Sequence, residues 1–114
     1  MATSPTPDAL LAMLDDVASA VQRAVARIPT DQRRARTNRA GQYVLDLVAD
    51  GAALQILRRT GLRIVSEESG VSGPLEAPLT VVLDPVDGST NCARGIAYWA
   101  TSMCVLDESG PSVA

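Results

Sequence analysis

The stretch LTVVLDPVDGSTN, residues 79–91, constrains this chain more than any other segment. An unbroken run of strand-forming residues meets two aspartates, a proline and then a glycine. The continuous apolar character predicts a buried strand. Pro85 drives Asp84 out of the helical region and Gly88 permits a turn that a side chain would obstruct, so the strand is expected to end at a sharp bend. Asp84 and Asp87 on such a bend repel each other unless something positive lies between them, and this stretch has no Lys, Arg or His before Arg94. A hard divalent cation is the natural partner. Magnesium takes oxygen from carboxylates, backbone carbonyls and water, commonly with phosphate as well, and the carbonyl of Val86 offers a third donor. Gly88, Ser89 and Thr90 follow with backbone N–H groups and hydroxyls that lead into a helix start and suit a phosphate. Taken alone, DPVDGS also suits an ordinary aspartate-proline-glycine turn. A calcium loop of the EF-hand kind does not fit, because its third position is Val86 and its twelfth Gly95.

The rest of the composition narrows the chemistry. A chain of 114 residues, 46% of them apolar, is the size of one domain with a core of its own. Ten basic against thirteen acidic residues give a net charge of -3, which argues against a nucleic acid or an anionic membrane as partner and favours a small metabolite. The absence of histidine removes Ser-His-Asp and Cys-His mechanisms and any zinc site that needs imidazole. Cys92 and Cys104 match no zinc or redox spacing and are expected to be reduced packing thiols. The opening MATSPTPD lacks the basic start and apolar stretch of a signal peptide, and the first amphipathic segment carries Asp15, Asp16, Arg23 and Arg27, so it cannot span a bilayer. A soluble, cytoplasmic protein is expected.

Residues 1–7 are predicted to form a flexible tail, with 8–114 as the folded unit. Asp8 stands where an N-cap would, ahead of Leu10, Leu14, Val17, Val21, Val25 and Ile28, whose steps of three and four predict a helix stopped by Pro29. The segment TDQRRARTNRAGQ holds four arginines without apolar periodicity and reads as a linker whose charges face water. A second helix is predicted over about Leu47 to Thr60, with Val48, Ala52 and Ile56 in one stripe, Ala53 and Leu57 in a neighbouring one, and Asp46 and Asp50 at its first turn. LRIV predicts a short strand that ends in Ser66, Glu67 and Glu68, and SGVSGPLEAP a surface loop. ATSMCVL predicts a further strand and DESG a hairpin turn, after which only PSVA remains. Four residues fall short of an average partner strand, so a sequence cut short is expected. Tyr98 and Trp99 are expected to pack in the core.

Three of these elements together resemble the inositol monophosphatase family of magnesium-dependent phosphatases. VLDPVDGSTN is similar to that family's aspartate-proline-isoleucine-aspartate-glycine-threonine motif, IVSEES to its glycine-glutamate-glutamate motif, and LDLVAD to the aspartate that precedes them. They occur in the family's order from about Gly41 onward. The resemblance implies the amino-terminal part of a layered α-β-α-β sandwich, an α/β (α+β) fold, which would form a homodimer when full length. It also implies that Glu67, Asp84, the Val86 carbonyl and Asp87 hold magnesium, that Asp46 and Ser89 orient the attacking water, and that Gly88, Ser89 and Thr90 bind the phosphate. Ser89 stands where threonine is usual, and Ser66 where glycine is usual.

The implied activity is hydrolysis of a small phosphate monoester, an inositol monophosphate or related polyol or alcohol phosphate, by water activated between two metals. Histidinol phosphate and fructose bisphosphate are alternative substrates. A shortened, non-catalytic metal-binding piece is the non-enzymatic alternative, because the family's further metal aspartate lies beyond the residues present. A haloacid dehalogenase-type phosphatase fits worse, since its acids lie two rather than three residues apart and act through an aspartyl nucleophile.

Overall fold

The computed structural model describes residues 5–108 and the backbone of 110–113. Of the expected tail, residues 1–4 lie outside the described residues, as do Ser109 of the expected hairpin turn and Ala114.

The first helix, α1, spans Pro7–Ala26 and buries Leu10, Leu14, Val17, Val21 and Val25, the stripe its spacing predicts. Its N-cap is Thr6, not Asp8: the Thr6 hydroxyl accepts from the Ala9 N–H at 3.1 Å. Pro7 takes the first helical position, where its missing N–H costs nothing, and Asp8 lies inside the first turn. The helix stops at Ala26, before Pro29, and a short 3-10 turn follows at Thr30–Gln32.

The second helix, α2, spans Val44–Leu57 and starts three residues earlier than predicted. Its buried face is Leu45, Ala49, Ala53, Leu54 and Leu57, with Asp46 and Asp50 buried beside them. The predicted stripe of Val48, Ala52 and Ile56 lies at the edge of that face, with Val48 exposed. Ala49 and Ala53, both fully buried, allow α1 and α2 to pack closely.

Five strands form one sheet in the order β2-β1-β3-β4-β5. They are β1 (Arg63–Ser66), β2 (Gly70–Ser72), β3 (Thr80–Asp87), β4 (Ala100–Asp107) and β5 (Gly110–Val113). A short helix, α3 (Ser89–Ala93), lies between β3 and β4. The pair β1/β3 is parallel and the other pairs are antiparallel. Gly70–Ser72 therefore pairs as an edge strand within the segment expected to be all loop. Gly110–Val113 supplies the return strand for which four residues looked too few.

Both long helices cover one face of the sheet. In register, Ile64, Val81 and Val105 point into the core, whereas the neighbouring row of Val65, Val82 and Cys104 lies on the opposite face. Val82 is 38% exposed, so the strand expected to be buried on both sides is covered on one. Each large core side chain contributes about 1.5–3 kcal/mol through burial, and the core cluster draws them from α1, α2, β1, β3 and β4.

Because β1 pairs antiparallel with β2 on one side and parallel with β3 on the other, the chain from β2 must cross past the start of β1 to reach β3. Gly73 makes that crossing at φ +85°, and a Cβ there would sit 2.5 Å from the Leu62 carbonyl oxygen. Both the backbone angle and the space demand glycine. Gly73→Ala should lower the unfolding free energy by about 2 kcal/mol or more, read as a drop in the denaturant midpoint without a change in slope.

Candidate metal centre

The parallel strands β1 and β3 end side by side, and the acids sit at their carboxyl ends, where open α/β sheets place ligands. On β1 the chain turns at once: Ser66 pairs with Gly70, leaving Glu67, Glu68 and Ser69 as a three-residue hairpin tip. Gly70 at φ +79° supplies the left-handed residue such a tip needs. The tip is anchored to β3 by the Glu67 N–H, which donates to the Leu83 carbonyl at 3.0 Å.

On β3 the expected bend is a bulge. Asp84 pairs with Ser102 and Asp87 with Ala100, so two residues of β3 oppose one of β4. The bulge admits Pro85, which could not donate within a regular ladder. The strand consequently continues through Asp87 instead of breaking at Asp84. The Thr101 hydroxyl secures the bulge by donating to the Pro85 carbonyl at 2.8 Å.

The carboxyl groups of Glu67 and Asp84, which the family resemblance groups together, lie beside each other. Burial first, then Glu67, Asp87 and Glu68, push the Asp84 carboxyl up to about 7. Its Oδ1 is buried and has no hydrogen-bond partner. Two ionised carboxylates in this contact require a proton or a cation between them. Among the described residues, no three acidic or thiol side chains close around one point. The donors near Asp84 are instead the Glu67 pair partner, the Asp87 carboxylate and the Val86 carbonyl. That carbonyl lies 3.0 Å from Ser89 Oγ, whose one proton it shares at most with the closer Asp46 Oδ1, and it keeps its second lone pair. An all-oxygen donor set with an orphaned, buried carboxylate oxygen fits a hard divalent ion.

Asp46 reaches the site from the first turn of α2. It is 1% exposed, its Oδ2 accepts from the Tyr43 N–H at 2.8 Å, and its Oδ1 accepts from the Ser89 hydroxyl at 2.5 Å. The helix cap and the site contact thus use different oxygens of one carboxylate. Gly88, at φ +95°, turns the chain from β3 into α3; a Cβ there would meet the Tyr98 carbonyl oxygen at 3.2 Å and Trp99 Cβ at 3.3 Å. Ser89 and Thr90 open α3, where the first N–H groups have no intrahelical partner.

Two cavities flank the acids. One of about 310 Å³ on the open sheet face is lined by Glu67, Asp84 and Ser102. The other, of about 460 Å³, is lined by Asp87, Gly88, Asn91, Tyr98 and Trp99. Tyr98 is 83% exposed rather than packed in the core, while Trp99 is half-buried against it. Cys92 and Cys104 are free thiols, and burial pushes the Cys92 thiol up.

The arginine segment does not simply face water. Arg33 donates to the Val25 carbonyl at 3.1 Å and the Cys92 carbonyl at 3.5 Å, tying α1 to α3. Arg36 stacks 3.9 Å from the Tyr43 ring centroid and donates to its hydroxyl, which lies 3.2 Å from Thr90 Oγ1. Arg39 donates to the carbonyls of Glu67 and Glu68 at 3.3 and 3.1 Å. Gln42 donates to Glu68 Oε2 at 2.6 Å, and Ser66 donates to Asp50 at 2.5 Å. None of these contacts has a sequence spacing that announces it.

A mixed sheet covered on one face by two helices, with acids at adjoining strand ends, is an α/β fold, and the comparisons place it in a family. The profile of the inositol monophosphatase family matches residues 9–114, and the chain belongs to that family. A fructose-1,6-bisphosphatase/inositol-1-monophosphatase of Archaeoglobus fulgidus is 38% identical over 93 residues, covering 78% of this chain and 36% of its own. A solved extragenic suppressor protein from Pyrococcus furiosus superposes with a TM-score of 0.74 at 27% identity, covering 93% of this chain and 43% of that one. The suhB protein of Bartonella henselae, at 21% identity, shares the fold with a TM-score of 0.74 over 90% of this chain and 42% of its own. The chain therefore spans well under half the length of these relatives. No helix among the described residues is long and apolar enough to cross a membrane.

The Asp84 environment sets a pH dependence. Its carboxyl holds a proton in the fold up to about pH 7, whereas an unfolded aspartate releases it near pH 4. The folded state therefore binds the extra proton in that window, and the stability it confers is full below the unfolded value and lost as pH rises through about 7. Thermal unfolding in chelator should show Tm falling from pH 5 to 7.5, and Asp84→Asn should flatten that fall.

Proposed function

We propose that this chain forms the magnesium-binding part of a phosphatase that hydrolyses a small phosphate monoester, such as an inositol monophosphate or a related polyol phosphate. The single observation that carries the reading is the buried, unpartnered Oδ1 of Asp84 beside Glu67, next to the Asp46–Ser89 pair. Glu67, Asp84, Asp87 and the Val86 carbonyl are the proposed ligands of two magnesium ions. Magnesium bound there supplies Lewis acidity, lowering the pKa of a water and neutralising phosphate charge.

The chain's own residues do the rest. The Tyr43 N–H fixes the Asp46 carboxylate, so the single Ser89 proton lies toward Asp46 Oδ1 at 2.5 Å rather than the Val86 carbonyl at 3.0 Å, and the Ser89 lone pairs serve as proton acceptors. As water attacks phosphorus, its proton passes to Ser89 Oγ while the Ser89 proton moves to Asp46. The new P–O bond forms opposite the ester bond, which breaks and leaves its electron pair on the alcohol oxygen, and that oxygen takes its proton from solvent water. Gly88, Ser89 and Thr90 hold the phosphate oxygens with N–H groups and hydroxyls. The polyol occupies the cavity beside Asp87, Asn91 and Tyr98, a small metabolite being the partner in keeping with the net charge of -3. A bisphosphate of a sugar is a second substrate class, favoured by the fructose-1,6-bisphosphatase name of the Archaeoglobus fulgidus relative.

Phosphate release from inositol monophosphate and fructose bisphosphate, measured with magnesium present, tests the proposal. Asp46→Asn should reduce it by about 10²–10⁴-fold, the usual contribution of a positioned proton acceptor. Ser89→Thr, which keeps the hydroxyl, should retain it. Undiminished turnover in Asp84→Asn refutes the ligand assignment, and magnesium binding without turnover reduces the chain to a metal-binding piece.

A further inference from the structure

The hairpin tip presents two adjacent glutamates to one site, and they are chemically alike. Nothing in the sequence pair itself decides which carboxylate turns toward Asp84. Both reach it through space, since Glu67 and Glu68 each contribute to the field on that group. The structure separates them by a contact that lies outside the acid motifs.

Gln42, 7% exposed, donates from Nε2 to Glu68 Oε2 at 2.6 Å, the length of a strong charge-assisted bond. The amide orientation is fixed at its other end, where the Thr37 hydroxyl donates to Gln42 Oε1 at 2.7 Å. A carboxylate can only accept, so the amide nitrogen must face Glu68 and the oxygen must face Thr37. The loop that carries this pair closes on itself, with the Thr37 N–H donating to the Gln42 carbonyl and the Gln42 N–H to the Arg39 carbonyl, each at 3.2 Å. Arg39 from the same loop grips the carbonyls of both glutamates. The tip is thereby held by backbone and side chain at once.

We infer that Gln42 is a positioning residue that sorts the glutamate pair, tying Glu68 aside so that Glu67 alone faces Asp84 and the cation. The inference rests on the metal-binding part of the proposed function and deepens it. Without the tie, Glu68 is free to swing toward Asp84, adding repulsion and competing with Glu67 for the same position. The geometry that magnesium demands is strict, so a second mobile carboxylate weakens binding rather than strengthening it. Groups that orient ligands without touching the metal typically carry 10- to 100-fold in affinity, about the size expected here.

The experiment is magnesium titration by calorimetry on the intact protein and on Gln42→Leu, Gln42→Glu and Thr37→Val, with unfolding curves as the control for folding. Gln42→Leu should raise the magnesium Kd by about tenfold. Gln42→Glu, which sets a like charge against Glu68, should raise it at least as much, and Thr37→Val should raise it less. Where turnover is measurable, the half-saturating magnesium concentration should rise while kcat at saturating magnesium stays close to that of the unaltered protein. A merely structural role would lower Tm and leave Kd unmoved. Equal Kd values in the unaltered protein and in the variants that fold overturn the inference alone. Magnesium binding with the expected shifts but no phosphate release sinks the catalytic reading and leaves this one standing. An unaltered protein that binds no magnesium overturns both.

Discussion

Like charges gathered at the ends of two parallel strands are the constraint on which the rest of the structure turns. Glu67 and Asp87 each act on Asp84 because β1 and β3 lie side by side and a bulge carries the third acid round the strand end. Burying Asp84 and then surrounding it with like charges is costly, and together they push its carboxyl up to about 7. That cost is tolerated because the sheet beneath is fixed by a core drawn from both long helices and three strands. The strained region and the stable region share residues, so alternate positions of β3 serve the core and the site.

Asp46 shows how local and long-range demands converge. A helix without a capping side chain on Tyr43 needs another acceptor for its first N–H groups, and Asp46 answers with one oxygen. The other oxygen reaches Ser89, across 43 residues of sequence. One buried carboxylate therefore sets the register between α2 and the turn after β3. Glu68 and Gln42 form a comparable bridge at the hairpin tip, so both sides of the site are tied back to the segment around α2's start.

Much of this was legible in the sequence, and the misses have physical reasons. The apolar steps of α1 predicted its buried face from Leu10 to Val25, while Ile28, predicted on the same stripe, lies past the helix end and is half-buried. The α2 start escaped notice because Tyr43 is no capping residue and the cap comes from a side chain three positions inside the helix. Strand β2 was hidden because Gly70, Val71 and Ser72 form only a three-residue edge within a glycine- and proline-rich segment. Asp84 and Asp87 are read from their place on the bend and Glu67 from the family resemblance; the structure brings the Glu67 carboxyl beside Asp84. Arg33, Arg39 and Gln42 were missed because their partners are mostly backbone carbonyls or a glutamate distant in sequence, which leave no periodic trace.

Arg33 has a wider consequence. Its guanidinium spans the carbonyl of Val25, at the end of the first helix, and that of Cys92, inside the short helix after the glycine turn. Both carbonyls lie near helix C-termini, where partial negative charge accumulates. A single cation thus rivets the first helix to the segment beside the candidate metal centre. Wear at that rivet, from crowding or from sequence drift in the first helix, would be felt as a loosening of the turn some sixty residues away along the chain.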